Sequence, residues 1–329
     1  MPVAPLGDAR SERSSSLRAI QPKHTNVGPQ NEGDLNPSVA ASSDRRHGQH
    51  LSSPLVFATY HEGRADRETL GRIVAMSSSA LKHHPGARVV LLTDKIEDAL
   101  RKGIPECVQV EEYGLFFEEQ HEKEPLEVLR GGVKVRELSM YNRAYAESEF
   151  LLQTQKTAKL FGSSPPNIVF CDCDILFLAP IDALFDKNFS IAFTVRKHHE
   201  GMNINNGIRY VNGKEITLAA NFYESWMEVL NNQEEKTWFG DQIALMDIFG
   251  RDLIPFKPPP RDPRNSGHIL FLPVGEYNHC DLDINSLTNP CDAPPKHVRV
   301  LHLKAKLKKF MLKDSCKRFA VVERGLCDN

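Results

Sequence analysis

From residue 55 onward, short continuous apolar runs alternate with stretches in which apolar residues recur at helical spacing. The run Leu55-Val56-Phe57-Ala58-Thr59 reads as a buried strand. Asp66 then stands at a helix-cap position ahead of Leu70, Ile73, Val74, Met76 and Leu81, and His83-His84-Pro85-Gly86 ends the pattern. Residues 88–93 predict a second buried strand with Asp94 just past it, residues 95–102 a short helix, and residues 107–110 a third strand. Residues 113–132 are polar, contain Gly131-Gly132, and predict a mobile connection. A helical pattern runs from residue 133 to about 152, Pro165-Pro166 breaks the chain, and Asn167-Ile168-Val169-Phe170 predicts the next strand. Such alternation predicts an α/β fold with a mostly parallel, twisted central sheet and helices on both faces.

Ligands of open α/β sheets bind beyond the carboxyl ends of the strands. Immediately after Phe170 the chain reads Cys171-Asp172-Cys173-Asp174-Ile175-Leu176-Phe177-Leu178, two carboxylates in otherwise apolar surroundings. Burying bare carboxylates is costly, and a cation or hydrogen-bond donors must offset the cost. From a strand end, Asp172 and Asp174 can present oxygens to one divalent ion. Mg²⁺ or Mn²⁺ takes few protein oxygens and fills its shell from water and phosphate, and a diphosphate leaving group is what such an ion neutralises. A bland alternative is a strand-end pair that caps a turn. A sharper one is a haloacid-dehalogenase-like phosphatase, in which an Asp-x-Asp also follows a buried strand and Asp172 would be the nucleophile. That motif usually follows the first strand of its domain and usually has Thr or Val where this chain has Leu176.

Composition narrows the setting. Residues 1–52 are rich in Ser, Pro, Asn, Gly and charges of both signs. They cannot bury enough surface to offset their ordering entropy, and a disordered tail is expected there. One domain over 53–312 and a short C-terminal tail over 313–329 follow. A net charge of −2 without a long basic block argues against nucleic acid as the main partner. No apolar run approaches the ~18 residues of a membrane helix, and the N-terminus lacks the apolar core of a signal peptide. The expectation is a soluble, cytoplasmic protein with no integral membrane segment, or a Golgi-lumenal one if an anchor is missing from the sequence.

The chain has 7 cysteines. Cys171 and Cys173 lie in an expected strand and cannot easily bridge each other. Cys280 with Cys291, and Cys316 with Cys327, are spaced so that pairing is open. The first reading is reduced thiols, and the lack of a Cys-x-x-Cys pair argues against a zinc ribbon.

At this point the sequence resembles a known group. Asp172-Cys173-Asp174 is similar to the metal-binding motif of GT-A glycosyltransferases, and three later segments fit in order, most closely like the family of glycogenin and the bacterial lipopolysaccharide galactosyltransferases. Asn205-Asn206-Gly207 resembles that family's Asn-x-Gly loop beside the donor sugar. Asp241-Gln242 resembles an Asp-Gln pair at the start of a helix on the acceptor side. The segment from His302 to Phe310 resembles His-x-x-Gly-x-x-Lys-Pro-Trp, with Ala305 for Gly, Lys309 for Pro and Phe310 for Trp. The resemblance spans residues 55–310 and implies a GT-A, Rossmann-like domain. It implies His302 as a third metal ligand, beside a strand expected over 298–301, and Lys308 as a point charge on the departing diphosphate. Lys304, Lys306, Lys309 and Lys313 otherwise read as a solvated face. Asp241 is open to two readings, a helix-capping carboxylate or a group that orients an acceptor hydroxyl or acts as base. Thr59 and Tyr60 at the first strand end and Asp94 at the second resemble a nucleoside pocket, and Arg143 could reach the diphosphate.

The expected function is therefore a metal-dependent glycosyltransferase, with Mn²⁺ or Mg²⁺ on Asp172, Asp174 and His302. The donor is a nucleotide sugar, a UDP-sugar by family habit, and the acceptor is a glycan, protein, lipid or small molecule. The alternatives are the phosphatase above and a non-catalytic nucleotide-sugar-binding protein on the same fold.

Overall fold

The computed structural model of the chain describes residues 54–115 except 102, and residues 133–196, 202–233, 237, 239–250, 252–257, 268–280 and 289–320. The expected tail over 1–52 and most of the connection over 113–132 lie outside the described residues. The first half follows the expected order: β1 (Leu55–His61), α1 (Arg67–His83), β2 (Arg88–Thr93), α2 (Ile96–Arg101), β3 (Val108–Glu112), α3 (Val133–Phe161) and β4 (Asn167–Cys171). Asp66 caps α1, its carboxylate accepting the Thr69 N–H at 2.7 Å, which satisfies a first-turn donor with no partner inside the helix. α3 runs past the point near residue 152 where the apolar pattern fades. Its last turn is in solvent, with Leu160 and Phe161 exposed, so no buried stripe marks it. Gly162, at φ 62°, ends it.

The second half contributes β5 (Ile175–Phe177), β6 (Ile191–Val195), β7 (Ile204–Val211), α4 (Ile216–Asn231), α5 (Gly240–Phe249), β8 (Ile269–Pro273), α6 (Val274–Tyr277), β9 (Val300–His302) and α7 (Asp314–Ala320). Among the described residues, seven strands form one sheet in the order β3-β2-β1-β4-β7-β6-β8, and β5 pairs with β9 in a separate ladder. The β1–β2, β2–β3, β1–β4 and β6–β8 pairings are parallel, while β7 runs antiparallel to both β4 and β6. The link from β6 to β7 is too short for a helical crossover, so these strands can pair only antiparallel.

The two-residue period of β1 divides the core. Leu55 and Phe57 pack with Ile73 and Met76 of α1 on one face. Val56 and Ala58 pack with Tyr141 and Phe150 of α3 and Trp226 of α4 on the other. Both faces are covered, as a parallel sheet requires. No helix among the described residues is long and apolar enough to cross a membrane.

The cysteine expectations are corrected. Cys291 and Cys316 form a disulfide, in place of Cys280–Cys291 and Cys316–Cys327 and of a fully reduced set. α7, which lies in the segment expected as a tail, packs on α1, where Lys82 Nζ donates to the Arg318 carbonyl at 2.6 Å. That docking carries Cys316 to Cys291. Cys173 stands in the turn after β4 rather than in the strand, and Cys280 is free.

Candidate functional site

β4 ends at Cys171, and the next amide, of Asp172, donates to the Gly207 carbonyl of β7 at 2.8 Å. Antiparallel pairing thus sets the start of β7 beside the carboxyl end of β4. A tight turn leads through Asp174 into β5, whose Ile175 pairs with His302 of β9. The Leu303 amide donates to the Asp174 carbonyl at 2.9 Å. This short ladder brings together residues that are far apart in sequence. Asp172, Asp174 and His302 each offer one ligand atom, all within 4.8 Å of one another.

The histidine is held in one orientation. His302 Nδ1 is 2.8 Å from Asn278 Oδ1. The Asn278 amide nitrogen is already committed to Thr194 Oγ1 at 2.8 Å and to the Asn205 carbonyl at 3.3 Å. Its oxygen is therefore the atom facing the ring, which puts the imidazole proton on Nδ1. His302 Nε2 then directs a lone pair at Asp174 Oδ1, 3.1 Å away, and Asp172 Oδ2, 3.5 Å away. Burial lowers the His302 pKa despite the opposing pull of Asp174, which keeps the ring neutral. Buried Asp174 Oδ1 has no hydrogen-bond donor among the described residues. Three electron-pair donors facing one point, with no proton between them, fit a bound cation.

Burial opposes ionisation of Asp174, yet the His302 ring whenever it takes a second proton, and the Lys308 ammonium, hold its carboxyl well below the usual range. Lys308 Nζ is 2.8 Å from Asp174 Oδ2 and partly open to solvent.

Arg143 joins the metal cluster to a second group of residues. Its two terminal nitrogens lie 2.6 Å from Asp172 Oδ1 and 2.6 Å from Asp241 Oδ2. Burial disfavours this charge, but Asp172, Asp241 and Glu147 more than compensate and hold the guanidinium protonated. Asn206 Nδ2 also donates to Asp241 Oδ2, at 2.6 Å. Asp241 Oδ1 accepts the Gln242 amide at 2.9 Å. Asp241 thus serves the first turn of α5 with one oxygen and the site with the other, while the Gln242 side chain is half-buried.

Asn205, Asn206 and Gly207 sit at the start of β7. Gly207 is packed on the His302 ring and the Asp172 carboxylate. Lys304 Nζ donates to Asn205 Oδ1 at 2.7 Å. Lys309 and Lys313 instead lie over the Phe310 ring, at 5.0 Å and 5.1 Å from its centroid.

Thr59, Tyr60 and Asp94 lie at the same edge of the sheet, because β1 and β2 run parallel to β4. β1 continues to His61, so Thr59 and Tyr60 are inside the strand and not at its end. Thr59 Oγ1 is buried without a hydrogen bond among the described residues. Tyr60 Oη donates to Glu62 at 3.4 Å, and Asp94 Oδ1 accepts the Gly63 amide at 2.6 Å.

Four supporting residues escape a sequence reading. Glu147 pairs with Arg209 behind Arg143, and Tyr223 Oη donates to Glu147 at 3.4 Å. Signals for that pair exist: Glu147 stands one helical turn after Arg143, and Arg209 is a lone charge in a strand buried along its length. Asn278, which orients His302, leaves no such trace.

No protein-family model and no curated protein matches the chain. Solved structures do. The glycosyltransferase GlyE of Streptococcus pneumoniae TIGR4 is 10% identical over 84% of this chain and 62% of its own, with a TM-score of 0.47. The chain therefore spans less than two thirds of that protein. The galactosyltransferase LgtC, solved with donor and acceptor sugar analogues, is 11% identical over 80% of this chain and 95% of its own, with a TM-score of 0.41. A glycosyltransferase involved in glycosylation of the major capsid of PBCV-1 is 12% identical over 82% of this chain and 100% of its own, with a TM-score of 0.43. These are glycosyltransferases to which the chain is similar, at scores too low to assign it an activity.

Proposed function

We propose that the chain is a GT-A-type, metal-dependent glycosyltransferase that moves a sugar from a nucleoside-diphosphate sugar, most naturally a UDP-sugar, to an acceptor hydroxyl. The observation that supports it best is the convergence of Asp172, Asp174 and His302 at the carboxyl end of β4, with the Lys308 ammonium against Asp174. Two carboxylates and one imidazole suit Mn²⁺ somewhat better than Mg²⁺, which favours oxygen alone. When bound, such an ion would neutralise the diphosphate as the bond to the sugar breaks.

The chain's own residues divide the remaining work. Lys308 places a positive charge where leaving-group charge develops. Asn205, Asn206 and the backbone at Gly207 line the donor sugar, where amide groups can both donate to and accept from hydroxyls. Asp241 Oδ2 orients a hydroxyl or accepts its proton, and Arg143 holds Asp172 and Asp241 in register. Thr59, Tyr60 and Asp94 border the nucleoside.

A thermal-shift series with UDP or GDP, with and without Mn²⁺, tests this, because a ligand selective for the folded state raises the melting temperature. The expected result is a shift that needs metal and vanishes in Asp174→Ala. An equal shift without metal would overturn the reading. Slow metal-dependent release of UDP from a UDP-sugar separates an enzyme from a non-catalytic binder.

A further inference from the structure

We infer that Lys304 and Arg196 form a cationic subsite beside the metal ligands, which recognises an anionic substituent (carboxylate, sulfate or phosphate) on a sugar handled there. The inference rests on the glycosyltransferase reading and names a substrate class for it.

The two cations come from different elements to the same face of the sheet. Lys304 follows His302 by two residues, and its ammonium is fixed on Asn205 Oδ1 at 2.7 Å. Thr194 pairs with Asn205 across β6 and β7, so these side chains share a face of the sheet. Thr194 and the Asn205 carbonyl are also the groups that hold Asn278, the partner of His302. That face is therefore the one that carries the metal ligands. Arg196 lies two residues beyond Thr194, and its amide donates to the Asn203 carbonyl at 2.8 Å, extending the ladder. The alternation of a strand sends Arg196 to the same side.

Among the described residues, neither cation has an ion-pair partner. Arg143 is taken by Asp172 and Asp241, and Lys308 by Asp174. Among the described residues, no carboxylate lies within ion-pair distance of Lys304 or Arg196, and Arg196 Nε is buried without a hydrogen bond. Lys304 and Arg196 are half-buried, and a half-buried charge without a counter-charge is unfavourable unless a ligand supplies one. A divalent ion on Asp172 and Asp174 would consume those carboxylates. A doubly charged diphosphate, met first by Lys308, leaves one cation of the pair unmatched. A neutral hexose offers nothing to fill that deficit, whereas a uronate or a phosphorylated or sulfated sugar does.

The test uses the full chain with Mn²⁺ and displacement titrations of UDP-glucuronate against UDP-glucose. We expect UDP-glucuronate to bind about tenfold tighter, and the ratio to fall to about one in Lys304→Met and in Arg196→Met. If the wild-type ratio is near one, the anionic group belongs to the acceptor. Protein loaded with Mn²⁺ and UDP should then bind glucose 6-phosphate or glucuronate in preference to glucose, and lose that preference in both variants. Should Lys304→Met not fold, by its melting curve, Arg196→Met carries the test alone. Absence of an anionic preference in both arms overturns the inference. So does a Lys304→Met protein that loses UDP itself but keeps the ratio, since the lysine would then serve the diphosphate. If wild-type protein shows no metal-dependent binding of UDP, the glycosyltransferase reading falls and takes this one with it. UDP binding without discrimination sinks the subsite alone.

Discussion

Gly207 lies so close to His302 that a β-carbon on it would overlap the ring at Cε1 and stand 2.6 Å from Nδ1 and 3.1 Å from Asp172 Oδ2. The glycine is needed for the packing of a candidate metal ligand, not for a turn. Gly207→Ala should displace His302 or part β4 from β7, at about 1–3 kcal/mol in stability, and remove the metal-dependent nucleotide shift. Gly275→Ala, where a β-carbon meets nothing within 4 Å, is the control. Melting curves with and without Mn²⁺ and UDP read both. Unchanged metal dependence in Gly207→Ala would contradict the packing role.

Arg143 separates Asp172 from Asp241, and its removal leaves both without their bridging cation. Arg143→Met should destabilise the fold by about 3–5 kcal/mol, measured by urea denaturation. Arg143→Met with Asp241→Asn should recover part of that loss, because one orphaned charge is gone. A double variant no more stable than the single one would mean that Arg143 acts mainly by packing.

Acid should weaken both metal binding and the fold. Burial lowers the pKa of His302 below the ordinary 6.5, so the folded imidazole is neutral where the unfolded one is protonated. The same direction holds for buried His84. Below about pH 6.5 the unfolded chain then binds more protons, and stability falls as pH falls. Mn²⁺ affinity should be level from pH 8 to 7 and drop at lower pH, as protons compete for His302 Nε2. Calorimetric titration with Mn²⁺ across that range checks it. A steep rise in affinity between pH 7 and 8 would argue against a neutral histidine.

The Cys291–Cys316 bond closes a loop that contains His302, Lys304 and Lys308. Reduction, or Cys316→Ser, should cost about 2–4 kcal/mol by freeing the unfolded chain. It should also weaken Mn²⁺ binding, since the loop positions one ligand. Urea denaturation and Mn²⁺ titration with and without dithiothreitol measure the two effects. Equal midpoints in the two conditions would remove the disulfide from the account of stability.

Local chemistry made much of this protein readable in advance. The buried runs of β1, β2 and β4, the Asp66 cap and the break after His83 depend on neighbours in sequence, and hydrophobic period and capping report them directly. The Asp172–Asp174 pair was visible because charge is costly in an apolar run. Contacts between distant segments were not visible. The reversed direction of β7, the pairing of Ile175 with His302, the Arg143 bridge, the Asn278 contact that orients the imidazole and the Cys291–Cys316 bond each join segments far apart in the chain. Periodicity carries no information about which distant residue will face a given side chain. Only the packing of β4 between β1 and β7, and of β9 against β5, brought two carboxylates, an imidazole and a lysine to one point.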